Sequence, residues 1–101
     1  MTKQQKEDKL LQFITDNNLE FNQDIKANSG LNGACTILSG YALHLGADVD
    51  TTINAAKRSF IKIPSTFYTL ERELKSVYSY SKSSRYGDFW KSEKAKKMYK
   101  F

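Results

Sequence analysis

The sequence predicts an all-α protein, a small bundle of four to five short helices around a central apolar helix at about residues 31–45. Apolar residues recur at helical spacing in several segments, and capping residues or turn signals separate these segments. The nearest candidate for a strand, residues 60–63, is too short to carry a sheet alone. A length of 101 residues fits one small domain.

The first helix is predicted at residues 3–17, where an apolar stripe includes Leu10, Phe13 and Ile14. Residues 19–28 fit either a loop or a short helix, and the turn signal Asn-Ser-Gly follows at residues 28–30. In either conformation Leu19, Phe21 and Ile25 are expected to cap the core.

The central helix is apolar nearly all round, which is typical of a helix buried on several sides. Gly33 and Gly40 lie seven residues apart and share one face, so we expect another element to pack closely there. That element belongs either to the same chain or to the second copy of a homodimer. Gly46 is placed to end the helix in a left-handed conformation.

A third helix is predicted at about 49–60, with Asp48 or Asp50 as its cap, and a fourth at about 66–79, with Ser65 as its cap. Pro64 separates the two. The Ser-rich residues 79–87 are predicted to form a mobile loop or linker. A last helix follows, with Asp88 as the candidate cap.

The chain thus divides into a helical core domain at 1–80 and a basic, aromatic C-terminal segment at 81–101, packed on the same domain. Charge follows this division. Residues 18–56 carry a net charge of −3, whereas residues 57–101 carry +8 and ten of the thirteen aromatic residues. This asymmetry is the strongest functional signal in the chain, because clustered cations attract anionic partners.

The C-terminal part interleaves cations and aromatic rings, a pattern that suits phosphates and unpaired bases. We therefore predict a non-enzymatic protein that contacts nucleic acid through this surface. The alternative is a phage-type accessory or inhibitor protein that binds an acidic protein or a nucleoprotein through the same surface. The predicted binding residues are Lys82, Arg85, Tyr86, Trp90, Lys91, Lys94, Lys97 and Lys100.

A helix-turn-helix across the second and third helices has weaker support. The short turn between them matches that motif faintly. However, Asp48 and Asp50 stand at the end of the third helix that would approach DNA, where acidic residues oppose phosphates. The C-terminal part is the better candidate for the interface.

Cys35 and His44 raise the question of thiol chemistry. Gly33, Ala34 and Cys35 open an apolar helix in a way that resembles the nucleophile helix of papain-like and C39-like cysteine peptidases. That resemblance implies a downstream His as base, but no His follows His44. Nine helical residues place His44 on the opposite face from Cys35. The sequence therefore predicts a buried structural Cys35 and no enzymatic activity.

The composition also bears on metal binding, disulfides, membrane insertion and cellular location. A single cysteine forms no internal disulfide, and the Cys and His spacing of a zinc site is missing, so no metal or cofactor is predicted. A charged N-terminus and the lack of a long apolar run predict neither a secretory signal nor a membrane span. A cytoplasmic location is the resulting expectation.

Overall fold

Helices account for the described secondary structure, and no strand occurs within it. The computed structural model describes residues 1–21, 30–59, 64–83 and 89–101. Its helices are α1 (Lys3–Asp16), α2 (Gly30–Leu45), α3 (Val49–Arg58), α4 (Pro64–Ser83) and α5 (Glu93–Met98). The predicted all-α class is confirmed.

Helix α1 begins at a capping box between Thr2 and Gln5. The Gln5 amide donates to the Thr2 hydroxyl at 3.1 Å, and the Thr2 amide donates to Oε1 of Gln5 at 2.8 Å, so two otherwise unpaired amides are satisfied. Leu10, Phe13 and Ile14 are buried, as the apolar stripe predicts. The predicted alternatives for 19–28 fall mostly on residues 22–29, which lie outside the described part of the chain.

Helix α2 occupies the centre of the bundle, where it packs mainly against α4 and also meets α1 and α3. It ends as predicted at Gly46, whose φ of +82° is the left-handed conformation that glycine tolerates. The Ala47 amide donates to the Ala42 carbonyl at 2.8 Å and the Gly46 amide to the Leu43 carbonyl at 3.2 Å. This pair of bonds is a Schellman motif, which satisfies carbonyls at the helix end.

Helix α3 is capped by Asp48, as predicted, and packs across α1. Oδ1 of Asp48 accepts from the Thr51 amide at 2.7 Å, and this hydrogen bond lowers the pKa of the Asp48 carboxyl. The helix ends at Arg58, two residues before the predicted end, and Phe60 lies outside the described residues. Asp48 also forms an ion pair with Lys3, at 3.5 Å.

Helix α4 is longer than the sequence predicts at both ends. It begins at Pro64 rather than after a Ser65 cap, since proline suits the first turn of a helix, where its missing amide has no partner to lose. It continues to Ser83, so the prediction of a loop at 79–83 is wrong. Ser81 is buried one turn after the buried Val77, so tertiary packing maintains a helix that composition alone disfavours.

The last described stretch begins at Phe89. Within it, Ser92 caps α5. The Ala95 amide donates to the Ser92 hydroxyl at 3.3 Å. The predicted cap, Asp88, lies outside the described residues. Ala95, with no exposed surface, is buried in the same core as α1 to α4, so the polypeptide from 89 onward packs on the helices before it.

Candidate functional site

Trp90 joins residues 89–101 to the face of α2 that carries Gly40. Because α4 continues to Ser83, we use the name C-terminal segment from here on for residues 89–101 and not for the predicted 81–101. Only 3% of Trp90 is exposed. A Cβ at Gly40 would collide with Nε1 of the indole and would lie 3.2 Å from its Cδ1 and Cε2 atoms. The absence of a side chain at Gly40 therefore makes room for the ring. The sequence predicts Trp90 as a partner-binding residue, but the structure places it in the core.

Further aromatic rings surround Trp90 and connect the segment to α1 and α2. The ring of Phe13 stacks on that of Tyr41 at 4.2 Å between centroids and meets Trp90 edge-on at 5.6 Å. Tyr99 lies 5.1 Å and Phe101 5.4 Å from Trp90, again between ring centroids. Such pairs add about 0.5–1.5 kcal/mol each beyond the burial of their area. The C-terminal segment is thus part of the hydrophobic core.

Asn17 anchors the far end of the segment. Its side-chain amide donates to the Lys100 carbonyl at 2.8 Å, and its Oδ1 accepts from the Lys100 amide at 2.8 Å. The same amide nitrogen lies 3.0 Å from the carbonyl of Phe13 in the last turn of α1. One side chain thus hydrogen-bonds both backbone groups of Lys100, which restrains the segment beyond α5.

The lysines of the segment point to solvent on this restrained backbone. Lys91, Lys94, Lys97 and Lys100 are exposed, and none of them forms an ion pair with the described residues. Lys96 differs, because its Nζ lies 3.7 Å from Oε1 of Glu93. Overall, residues 89–101 carry five lysines against one glutamate.

The remaining predicted binding residues fall elsewhere. Lys82 is exposed in the last turn of α4, outside the C-terminal segment. Arg85 and Tyr86 lie outside the described residues. Four of the predicted lysines, those at 91, 94, 97 and 100, are therefore exposed within residues 89–101.

An apolar cleft of about 250 Å³ opens between α2 and the C-terminal segment; we call it the α2 cleft. Phe89 and Tyr99 are half-buried at its wall, with ring centroids 6.4 Å apart and an interplanar angle of 78°. Ile37 of α2 is also half-buried and also lines the cleft. The cleft is lined by Thr36, Ile37, Phe89, Trp90 and Tyr99.

The α2 cleft has no charged side chain among its lining residues, and α2 itself contains no Asp, Glu, Lys or Arg. Two other clefts in the described part of the chain carry charges of both signs: Lys9, Lys100 and Asp16 in one, and Arg58 and Glu20 in the other. Lys91 directly follows the lining residue Trp90 in the chain. Of the three clefts, the α2 cleft is therefore the one whose lining carries no charged side chain of either sign.

Cys35 is buried with no exposed surface, as predicted. Burial, with a smaller effect from the charge of Glu73, raises the pKa of its thiol to about 12. The thiol is therefore protonated at neutral pH, whereas a nucleophile needs the thiolate. His44 is exposed on α2, with ring centroids 6.4 Å from Tyr41 and 6.1 Å from Phe101.

The face of α2 with Gly33 and Gly40 is predicted to pack either within the chain or across a homodimer. At Gly40 it packs within the chain. That residue is buried under Trp90. Gly33 is half-buried. A second copy would have to displace Trp90 to reach the Gly40 half of this face.

Sequence reasoning missed two residues that matter at this site. Asn17 stands at the predicted end of the first helix, and its side-chain amide carries both a donor and an acceptor. Ile37 lies off the apolar stripe of α2, and an off-stripe apolar residue is the signal that indicates a second covered face. The partner of each lies far away in the sequence.

The described residues contain no group of His, Cys, Asp and Glu side chains arranged to hold a metal ion. None of the helices in the described ranges combines the length and the apolar character needed to cross a membrane. Neither a protein-family model, nor a curated protein, nor a solved structure matches the chain.

Proposed function

We propose that the protein is a small, non-enzymatic, cytoplasmic binding protein whose C-terminal segment contacts the phosphates of nucleic acid. One observation supports the proposal above the others: Lys91, Lys94 and Lys97 are exposed and form no ion pair with the described residues. Cations without internal partners are free to replace the counterions that surround a phosphate backbone.

The way the segment is attached supports the same proposal. Trp90 and Asn17 restrain the backbone on either side of α5, so the lysines are presented from a scaffold that is ordered before a ligand arrives. Binding then costs less conformational entropy than it would for a free basic tail. Lys94 and Lys97 are three residues apart on α5, so they lie on neighbouring positions of the helix surface.

Salt-dependent binding of a labelled DNA or RNA oligonucleotide tests the proposal. We expect measurable binding at low salt and a steep loss of affinity as salt rises, because each phosphate contact releases counterions. Lys94→Gln together with Lys97→Gln should reduce the slope of log K against log salt by about two units. No binding at low salt to duplex DNA, single-stranded DNA or RNA would refute the proposal.

The chain offers a matched control on α4. Arg72 and Lys75 are also exposed, three residues apart on a helix, and without ion pairs to the described residues. Arg72→Gln together with Lys75→Gln removes the same two charges from the protein but none from the C-terminal segment. If both double variants weaken binding equally, net charge and not the C-terminal segment is responsible.

An acidic protein partner, as in a phage-type inhibitor, is the second candidate. It is favoured by two exposed apolar side chains in the C-terminal segment, Met98 at 55% and Phe101 at 48% exposure. Methionine and aromatic residues are enriched in protein interfaces. Affinity capture from nuclease-treated lysate distinguishes the candidates: a stoichiometric protein that the Lys94→Gln, Lys97→Gln variant no longer captures supports this one.

A further inference from the structure

We infer that the nucleic acid bound by this protein is single-stranded and that one unpaired base enters the α2 cleft. The inference rests on the proposed function, because the lysines of the C-terminal segment supply the contacts to phosphate. To the proposed function it adds that the bound nucleic acid is single-stranded and that the α2 cleft holds one of its bases. Its basis is an uncharged, mostly aromatic cleft formed in part by the same segment that carries those lysines.

The dimensions and lining of the cleft suit a base. A cavity of about 150 Å³ is large enough for a benzene ring, so about 250 Å³ accommodates a larger planar ring system. Three of the five lining residues, Phe89, Trp90 and Tyr99, are aromatic. Bases stack on such rings whatever their identity, since every base has a π-face.

The surrounding charges suit a strand that continues past the cleft. The exposed Lys91 follows the lining residue Trp90 directly, whereas Lys100 lines the separate cleft next to Phe13 and Asp16. Thus one aromatic lining residue is followed directly by an exposed cation on the cleft's own segment, and the lining itself contributes no carboxylate. This interleaving of rings and cations is typical of surfaces that bind single strands through both stacking and charge.

A duplex would use only part of this arrangement. Paired bases are stacked inside the helix and have no free face to offer, so duplex DNA would contact the lysines and leave the cleft empty. An acidic peptide with an apolar side chain would also meet charge and apolar surface, but it would not need the two half-buried rings of Phe89 and Tyr99. The observations favour a single strand.

The test uses the full chain with an oligothymidine single strand, a duplex of equal length and an acidic peptide that contains one Phe. Trp90 is the only tryptophan, so its fluorescence reports directly on the cleft. We expect tighter binding of the single strand than of the duplex, with a change in Trp90 emission for the single strand alone. Equal binding of both without that change would overturn the inference.

Two variants separate the cleft from the lysines. Phe89→Ala should weaken single-strand binding roughly 5- to 150-fold, the range seen when one stacking residue is removed, and should leave duplex binding unchanged. Ile37→Phe fills the cleft without removing an aromatic wall and should have the same selective effect. Leu43→Phe is the matched control, since Leu43 is half-buried on the same helix but does not line the cleft.

The outcomes distinguish the two proposals. If both cleft variants bind the single strand like the parent protein, while Lys94→Gln with Lys97→Gln still weakens binding, the base-binding inference fails and the phosphate-binding proposal stands. Failure of every nucleic acid to bind at low salt refutes both. A Trp90 response to the acidic peptide that a single strand does not compete away also overturns the inference.

Discussion

Nε1 of Trp90 occupies the space that a side chain at Gly40 would need, so one glycine of α2 determines where the C-terminal segment packs. The indole that fills this space is only 3% exposed, and it contacts rings from α1, α2 and the segment itself. The same ring forms part of the α2 cleft. The Gly40–Trp90 contact therefore links the stability of the fold to the proposed binding surface.

Gly40→Ala should destabilise the protein, which is the opposite of the usual effect of alanine in a helix. Alanine normally gains about 1 kcal/mol over an interior glycine. Here the new methyl group collides with Trp90, and such overpacking costs about 1–3 kcal/mol. Urea unfolding gives the free energy. In a Trp90→Leu background the sign should reverse, and a loss of equal size in both backgrounds would contradict the proposed contact.

Asn17→Ala should release the end of the C-terminal segment while the remaining helices stay folded. The change removes two hydrogen bonds to the Lys100 backbone, each of which contributes about 1 kcal/mol or less at an exposed position. Hydrogen exchange at the Lys100 amide should accelerate by more than the fall in global stability explains. Gln12→Ala, which removes a surface bond to Asp16, is the control and should leave that amide unchanged.

The contact between Arg58 and Asp8 should make part of the stability depend on acid pH. Nη1 of Arg58 lies 2.9 Å from Oδ1 of Asp8, and this hydrogen bond lowers the pKa of the Asp8 carboxyl below its ordinary value of 3.8. The unfolded chain then takes up its proton first as pH falls. The contribution is therefore complete above about pH 4 and disappears as pH drops through the folded pKa.

A double-mutant cycle with Asp8→Ala and Arg58→Met measures that contribution. The coupling obtained from thermal unfolding should be present at pH 7 and should diminish below about pH 4, where the carboxyl becomes protonated. Glu7, whose Oε2 lies 2.9 Å from the same guanidinium nitrogen, remains in every variant and so does not enter the coupling. A coupling that is constant from pH 7 to pH 2 would contradict the assignment.

Cys35 should be inert in the native protein and should weaken the fold at alkaline pH. Its thiol pKa of about 12 exceeds the ordinary value of 9.0, so the unfolded thiol loses its proton first as pH rises. The stability associated with the neutral thiol is complete below about pH 9 and decreases towards pH 12. We therefore expect the free energy of unfolding, measured by urea titration, to fall more between pH 8 and pH 10 for the parent protein than for Cys35→Ala.

Thiol reactivity provides an independent measurement of the same site. The native protein should not react with a disulfide reagent at pH 8, whereas the urea-unfolded protein should react fully. Rapid modification under native conditions would show that Cys35 is accessible as a thiolate. That result would support the nucleophilic role that the resemblance to cysteine peptidases implies for Cys35.

Local signals in the sequence determined the helices and several of their ends. The apolar stripes of α1 and α2 repeat within a few residues, and Asp48 and Gly46 act through hydrogen bonds to near neighbours. Such features depend on short stretches of chain, so they can be recognised from the sequence alone. The basic character of the last 45 residues is likewise a matter of composition.

Only the tertiary structure decided which way the C-terminal segment faces. Trp90 could equally have stacked on a partner, and it is buried because the bare backbone at Gly40, fifty residues earlier, leaves room for it. Residues 79–83 are helical because Ser81 packs in the core, although a Ser-rich composition favours a loop. The α2 cleft and the Asn17–Lys100 contact join residues more than fifty positions apart, and such long-range contacts leave no local pattern in a sequence.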